Sequence, residues 1–263
     1  MYSGLALLLD IFYPDQPNGY GLVHISGSGF SAPLGLDARP LKQSAHVEIE
    51  GKPLVEAGYT VYSINHRATP RFQYPAAVED AQRAVRFIRT HAEAYGIDAG
   101  RIGAIGGSSG GYLVSMLGVL DGAGDPDDES PINRASAKVQ CVVARAAPCS
   151  LVGGHAGAGA PALFLGALVG PETPAGSIEV RRALEASPIT HVSPDAAPFY
   201  LVHGDADDVV PIAASDAMAE ALGNAGVPVK LRRVPGGVHG PQIVGDPEIT
   251  AEIQVWFDEH LRV

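Results

Sequence analysis

Two hydropathy rhythms alternate along the chain. Short apolar runs at 21–25, 59–64, 101–105, 139–144, 199–203 and 229–234 have the length and character of buried strands. An earlier run at 5–13 reads as a first strand, closed by the turn-rich 14–19 segment. Between the runs lie helical patterns. Pro75 opens an amphipathic helix in which Val78, Ala81, Val85, Ile88, Ala92 and Tyr95 recur at three- and four-residue spacing, and Gly96 ends it. Leu113, Met116, Leu117 and Leu120 mark another, and 213–222 and 247–261 predict two more. Residues 53–58 look like a helix end with a glycine cap, whereas 31–52 read as irregular. Strand and helix in alternation imply an α/β fold: a mostly parallel sheet covered on both faces, with active groups at the carboxyl ends of its strands. Residues 121–137 and 150–190, rich in Gly, Ala, Pro and Asp, break the rhythm. They predict a cap or loop insertion over the active site within a single domain, 1–263.

Composition narrows the function classes. At 263 residues and 46% apolar content the chain can bury a large core, as one α/β domain or two small ones. It contains no 18-residue apolar run, so no membrane span is expected. The net charge of −11, from 29 acidic against 18 basic residues, disfavours nucleic acid and anionic lipid as partners. Cys141 and Cys149 form neither a disulfide framework nor a metal-ligand pattern and read as ordinary thiols. The apolar N-terminus lacks a basic flank and a small-residue cleavage site, so it reads as structure. A cytoplasmic location is expected, with export by an upstream signal left open, as is a homodimer.

The chemistry concentrates where the 101–105 run meets Gly106-Gly107-Ser108-Ser109-Gly110-Gly111 and a helix begins at once. Strand, sharp turn and helix can hold a serine in a strained conformation with its hydroxyl exposed, the Gly-x-Ser-x-Gly nucleophile elbow. Two frames fit, one centred on Ser108 and one on Ser109. A phosphate-binding turn is the competing reading, but no Lys-Ser/Thr pair follows the glycines as a P-loop requires.

A serine hydroxyl needs an imidazole to take its proton and a carboxylate to hold that imidazole in the right tautomer. Chain order in such folds runs Ser, Asp or Glu, His. Of nine histidines, His239, in the glycine-rich loop between the last strand and last helix, suits that order; His24, His46, His66, His91, His155, His191, His203 and His260 suit it less by order or by element. For the acid, Asp205, Asp207 and Asp208 crowd one turn after the 199–203 strand. Position favours Asp207 over Asp205 only slightly, and a Ca²⁺ or Mg²⁺ site competes without any EF-hand spacing to support it. Ser26-Gly27-Ser28-Gly29-Phe30 follows a central strand and could aim backbone amides at an oxyanion.

With these residues in view, the chain resembles the α/β-hydrolase superfamily, and more narrowly its branch of feruloyl, acetylxylan and kynurenine-formamidase-like enzymes. The blocks Asn65-His-Arg-Ala-Thr-Pro70, Tyr74-Pro-Ala-Ala-Val-Glu-Asp80, Ser187-Pro-Ile-Thr-His-Val-Ser193 and His203-Gly-Asp-Ala-Asp-Asp-Val-Val-Pro211 carry the likeness over nearly the full length. The resemblance implies Ser108 as nucleophile, from the pattern Gly-x-Ser-Ala-Gly-Gly with Ser109 in the alanine position, Asp207 as acid and His239 as base. It implies an acyl-enzyme mechanism without metal or organic cofactor, on small to medium or aromatic acyl esters as small-molecule substrates. Oxyanion donors are expected from the Ser28 or Gly29 amide and the Ser109 amide, although the family's usual His-Gly-Gly-Gly-Trp loop is altered here. Phe30, Tyr74, Phe164 and Leu165 are candidates for lining the pocket, against ordinary packing. Amide, formamide or peptide hydrolysis by the same triad, a polymer esterase and a non-catalytic binding relative are the alternatives.

Overall fold

The computed structural model describes residues 7–32, 39–152, 159–240, 243 and 245–262. Seven strands form one sheet in the order β1-β3-β2-β4-β5-β6-β7, where β1 is Leu9–Phe12, β2 Gly21–Ile25, β3 Thr60–Ile64, β4 Ile102–Gly107, β5 Val142–Arg145, β6 Phe199–Gly204 and β7 Val229–Val234. Only β1 runs antiparallel, pairing Leu9 with Ile64 and Phe12 with Val61. The predicted start of that strand at Leu5 lies outside the described residues.

Because side chains alternate across a strand, consecutive residues feed two cores. Val23, Ile25, Ala104, Val142, Ala144 and Leu201 face one side. There they meet α2 (Ala76–Thr90) and α4 (Ser109–Val119) through Val78, Ala81, Val85, Leu113 and Met116. Leu22, Ile105, Val143 and Val202 face the other, against Leu54 of α1 (Lys52–Glu56) and Ile253, Trp256 and Phe257 of the last helix, Pro247–Leu261. Every residue of the inner strands β2 to β6 is buried, as a parallel sheet covered on both faces requires.

Three expectations are corrected. The 31–52 segment, of which 33–38 lie outside the described residues, is not irregular throughout: a π-helical turn, Val47–Gly51, runs directly into α1. Its buried positions are Val47, Glu50 and Gly51, so the inward face carries a carboxylate and shows no hydrophobic stripe. The 75–95 helix is interrupted at His91, whose ring donates from Nδ1 to the Phe87 carbonyl at 2.8 Å, and resumes as α3, Ala92–Tyr95.

Residues 121–137 do not lie over the active site. Helix α4 runs away from the carboxyl ends, so the segment that follows it starts at the amino edge of the sheet. It contains α5 (Pro131–Arg134) and packs on α2, where Arg86 Nε donates to the Ala135 carbonyl at 3.0 Å and Arg89 Nη2 to the Lys138 carbonyl at 2.7 Å. The 150–190 segment, of which 153–158 lie outside the described residues and include His155, does leave the carboxyl end of β5. It carries α6 (Ala160–Leu165) and α7 (Ile178–Glu185) and is tied to α4 by the Tyr112 hydroxyl, which donates to the Ala186 carbonyl at 2.7 Å.

Candidate active site

The turn between β4 and α4 is as sharp as its glycines suggest. Ser108 has φ 54° and ψ −124°, a strained geometry for a residue with a side chain. Glycine at 110 is obligatory there: a Cβ would stand 2.0 Å from the Ile25 carbonyl oxygen, so β2 and the first turn of α4 could not approach. The Ser108 amide donates to the Arg145 carbonyl at 2.8 Å and fixes the turn to β5.

Ser108 Oγ lies 3.0 Å from Nε2 of His239, and His239 Nδ1 lies 2.7 Å from Oδ2 of Asp207. Ser108 and His239 are 131 residues apart in sequence. The acid is fully determined by its surroundings. Oδ1 of Asp207 accepts from the amides of Val209 and Val210 at 2.9 and 2.8 Å, which leaves Oδ2 for the His239 imidazole, with His203 Nε2 a further 3.3 Å contact on the same oxygen. With Nδ1–H donating to that carboxylate, Nε2 is the acceptor facing the serine hydroxyl. His203 backs the same turn, donating from Nε2 to the Val210 carbonyl at 2.8 Å and accepting from Ser215 Oγ at 2.7 Å. Burial pushes the His203 pKa down, which suits a neutral imidazole in both roles. Asp205 turns elsewhere and accepts from the Gly236 amide at 2.6 Å, while Asp208 is exposed. Among the described residues, no group of three or more His, Cys, Asp or Glu could hold a metal ion.

A cavity of about 350 Å³ opens beside Ser108. One wall is Gly27, Ser28 and Gly29, and another is Val209, His239 and Gly240. The remaining lining brings in residues that sequence reasoning missed: His46, Glu50, Arg145 and Ala146. Glu50 Oε2 pairs with His24 Nε2 at 2.9 Å, while Oε1 lies 3.5 Å from His46 Nδ1 and 3.7 Å from Arg145 Nη1. Burial alone would raise the Glu50 carboxyl. The Arg145 charge and the two histidines outweigh it and hold the group well below the usual carboxylate range. The hydrogen bond to Glu50 in turn raises the His46 pKa against its burial. The usable signals were an arginine closing the apolar Val142–Arg145 strand and a histidine inside Gly21–Ile25, both charge-capable groups where only core is expected.

Two expectations about the pocket are corrected. Phe30, Tyr74, Phe164 and Leu165 are buried and do not line this cavity. Phe30 stacks on Phe164 at 4.2 Å between centroids and meets Tyr112 edge-on at 5.1 Å, so these rings form an aromatic core beside α4. The Ser28 amide, expected as an oxyanion donor, is already engaged, donating to Ser109 Oγ at 2.9 Å. The Gly29 and Ser109 amides donate to no protein oxygen among the described residues.

Comparison with known proteins agrees with this geometry. A family described as BD-FAE matches residues 9–222. In Mycobacterium tuberculosis, the protein named probable carboxylic ester hydrolase LipM is 28% identical over 73% of this chain and 44% of its own length, and esterase LipQ is 30% identical over 71% and 44%. The chain thus spans less than half the length of these curated relatives. Among solved structures, an acetyl ester-xyloside bifunctional hydrolase from Caldicellulosiruptor lactoaceticus superposes with a TM-score of 0.82 at 28% identity, covering 97% of this chain and 89% of the other. A truncated carbohydrate esterase from gut microbiota gives 0.79 at 29% identity, covering 97% and 91%.

Proposed function

The chain belongs to the BD-FAE family and has the α/β-hydrolase fold, and from that premise we propose that it is a serine carboxylic-ester hydrolase with Ser108 as nucleophile, His239 as base and Asp207 as the acid that orients it. The observation that carries this reading is the continuous relay from Asp207 Oδ2 through His239 to a strained Ser108 hydroxyl at the mouth of a cavity. Ser108 Oγ attacks the ester carbonyl as its proton passes to His239 Nε2. The carbonyl oxygen becomes an oxyanion held by backbone amides, and the protonated imidazole then gives its proton to the departing alcohol. Water repeats the sequence on the acyl-enzyme. The chain's own groups supply every proton transfer in this scheme.

The cavity lining favours a small acyl group and a hydroxylated alcohol. Its walls are glycine, serine, alanine, valine and isoleucine, its floor carries His46, Glu50 and Arg145, and no Phe, Tyr or Trp lines it among the described residues. A long alkyl chain would desolvate that ionic floor without replacing its hydrogen bonds. Two structural neighbours are named as an acetyl ester-xyloside hydrolase and a carbohydrate esterase, which points the same way.

Hydrolysis of p-nitrophenyl esters from acetate to octanoate, an acetylated sugar and a feruloyl ester tests the proposal. Acetate and the acetylated sugar are expected to be turned over fastest, and Ser108→Ala is expected to lose roughly 10⁶-fold in kcat. A preference for octanoate or feruloyl ester would overturn the acyl assignment, and full activity in Ser108→Ala would overturn the nucleophile. Turnover of a matched anilide but not the ester would make the enzyme an amidase.

A further inference from the structure

The loop that closes the cavity over Ser108 holds two successive left-handed residues, Gly29 at φ 60° and Phe30 at φ 63°. An oxyanion hole works only if its donors are fixed before the reaction, so such a loop must be tied down. Three sets of contacts do this. Ser26 Oγ donates to the Leu41 carbonyl at 3.1 Å and accepts from Ser44 Oγ at 2.7 Å. At the far end, the Phe30 carbonyl accepts from the Thr69 amide at 2.9 Å while its ring stacks on Phe164. In the middle, the Ser28 amide donates to Ser109 Oγ.

The middle contact differs from the others because it comes from the elbow itself. Ser109 follows the nucleophile directly, is 1% exposed and does not line the cavity. Its hydroxyl therefore sits behind the loop, away from substrate space. The loop packs closely on the elbow, where a Cβ on Gly27 would stand 2.8 Å from the Gly107 carbonyl and 3.1 Å from Ser108 Cβ, and the Ser28 carbonyl accepts from the Ser31 amide at 3.2 Å within the loop. An N–H directed at a buried hydroxyl behind the loop is not directed at an oxyanion in front of it.

Building on the assignment of Ser108 as nucleophile, we propose that the Ser109 hydroxyl is a positioning residue of the oxyanion hole. It accepts the Ser28 N–H and thereby fixes the peptide that carries the next amide. The two donors to the oxyanion are then the Gly29 and Ser109 amides, and the Ser28 amide is a structural strut. One residue sets both halves of the hole, its amide directly and its side chain by holding the opposing loop.

The test uses the intact protein and a p-nitrophenyl phosphonate monoester. Ser108 Oγ attacks phosphorus, the bond to nitrophenolate breaks, the proton passes to His239, and the phosphoryl oxygen occupies the oxyanion position. Ser109→Ala is expected to slow labelling and to lower kcat on p-nitrophenyl acetate about tenfold or more with KM little changed, since one lost oxyanion donor costs 100-fold or more. Ser109→Cys, which keeps a weak acceptor at the same place, is expected to fall between the two. Ser115→Ala removes another buried hydroxyl of α4, one that among the described residues bonds only to the Gly111 carbonyl at 2.7 Å, and is expected to leave both rates unchanged. Unchanged or faster labelling in Ser109→Ala, with Ser108 still the labelled residue, would overturn the positioning role alone. Equal loss in Ser115→Ala would reduce the effect to helix stability and overturn it as well. Absence of label on Ser108 in the native protein would overturn the nucleophile assignment and this inference together.

Discussion

Two carboxylate–histidine clusters flank one cavity, and among the described residues only one of them runs on to a serine hydroxyl. At Asp207, two backbone amides saturate one oxygen, and the other, with His203 Nε2 3.3 Å away, takes its shortest contact from His239, so the chain of contacts runs outward to a serine hydroxyl. At Glu50, His24, His46 and Arg145 surround the carboxylate, and among the described residues neither histidine bonds onward to a hydroxyl or thiol. The first cluster is open and the second is closed. The same residue types yield a relay where one partner has a free far side. They yield a buried ionic anchor where several cation-capable partners crowd one carboxylate. Position follows role: Glu50 and Arg145 cap the core on the α1 face at the ends of β4 and β5, where they join the π-helical turn to the sheet beneath the elbow.

Mutating the two carboxylates should separate catalysis from stability. Asp207→Asn keeps an oxygen for the Val209 and Val210 amides but presents His239 with a donor and so the wrong tautomer. The expected loss is roughly 10,000-fold in kcat with the thermal midpoint nearly unchanged, measured on a short-chain ester. A loss under tenfold would mean that Asp207 does not orient the base.

Glu50→Ala should do the reverse by leaving the Arg145 guanidinium buried without its carboxylate. The expected cost is about 3–5 kcal/mol of unfolding free energy in urea denaturation. A replacement of both partners by apolar residues of similar volume, Glu50→Leu with Arg145→Met, should recover most of that loss. If the double variant is as unstable as the single one, the pair is more than a charge-balanced anchor.

The smallest effect is on pH dependence and comes from buried histidines. His66 and His203 have pKa values pushed below the ordinary 6.5 by burial, so the unfolded chain binds their protons more readily. Their stabilisation is complete above about pH 6.5 and is lost as pH falls below that value toward the folded-state pKa. His46, raised by Glu50, has the opposite sign: its contribution is complete below about pH 6.5 and is lost as pH rises through the elevated value. The thermal midpoint should fall between pH 7 and pH 5. His66→Gln should flatten that fall by about 2–4 °C, and His46→Gln should steepen it. Equal slopes in all three proteins would remove these residues from the acid response.

The sequence carried much of this, and unevenly. Strands β2, β6 and β7 and the last helix were legible because apolar period and turn residues agree at each of them, and so was the strand-turn-helix around Ser108. The end of α1 was legible from its glycine cap, but the π-helical Val47–Gly51 turn before it was not, since a turn whose inward face holds Glu50 has no hydrophobic stripe to read. Residues 121–137 lie at the amino edge of the sheet and not over the site, because composition marks an excursion without giving its direction. Phe30, Tyr74 and Phe164 are candidates for the pocket on chemical type, but Phe30 and Phe164 meet Tyr112 edge-on and Tyr74 packs edge-on against Phe164, which makes them core.

What the sequence by itself determined was local: the glycines that permit the elbow, the alternation that builds a parallel sheet, and a short list of histidines and aspartates in a plausible order. Distances between remote segments were decided by tertiary structure alone. Ser108 meets His239 across 131 residues, His24 meets Glu50 across 26, and Ser28 meets Ser109 across 81. A hydrogen bond needs its partners within a few tenths of an ångström, and no pattern of residue types along a chain specifies that. The packed sheet does so, by bringing the carboxyl ends of β2, β4, β5 and β6 side by side, where residues distant in sequence can share one cavity.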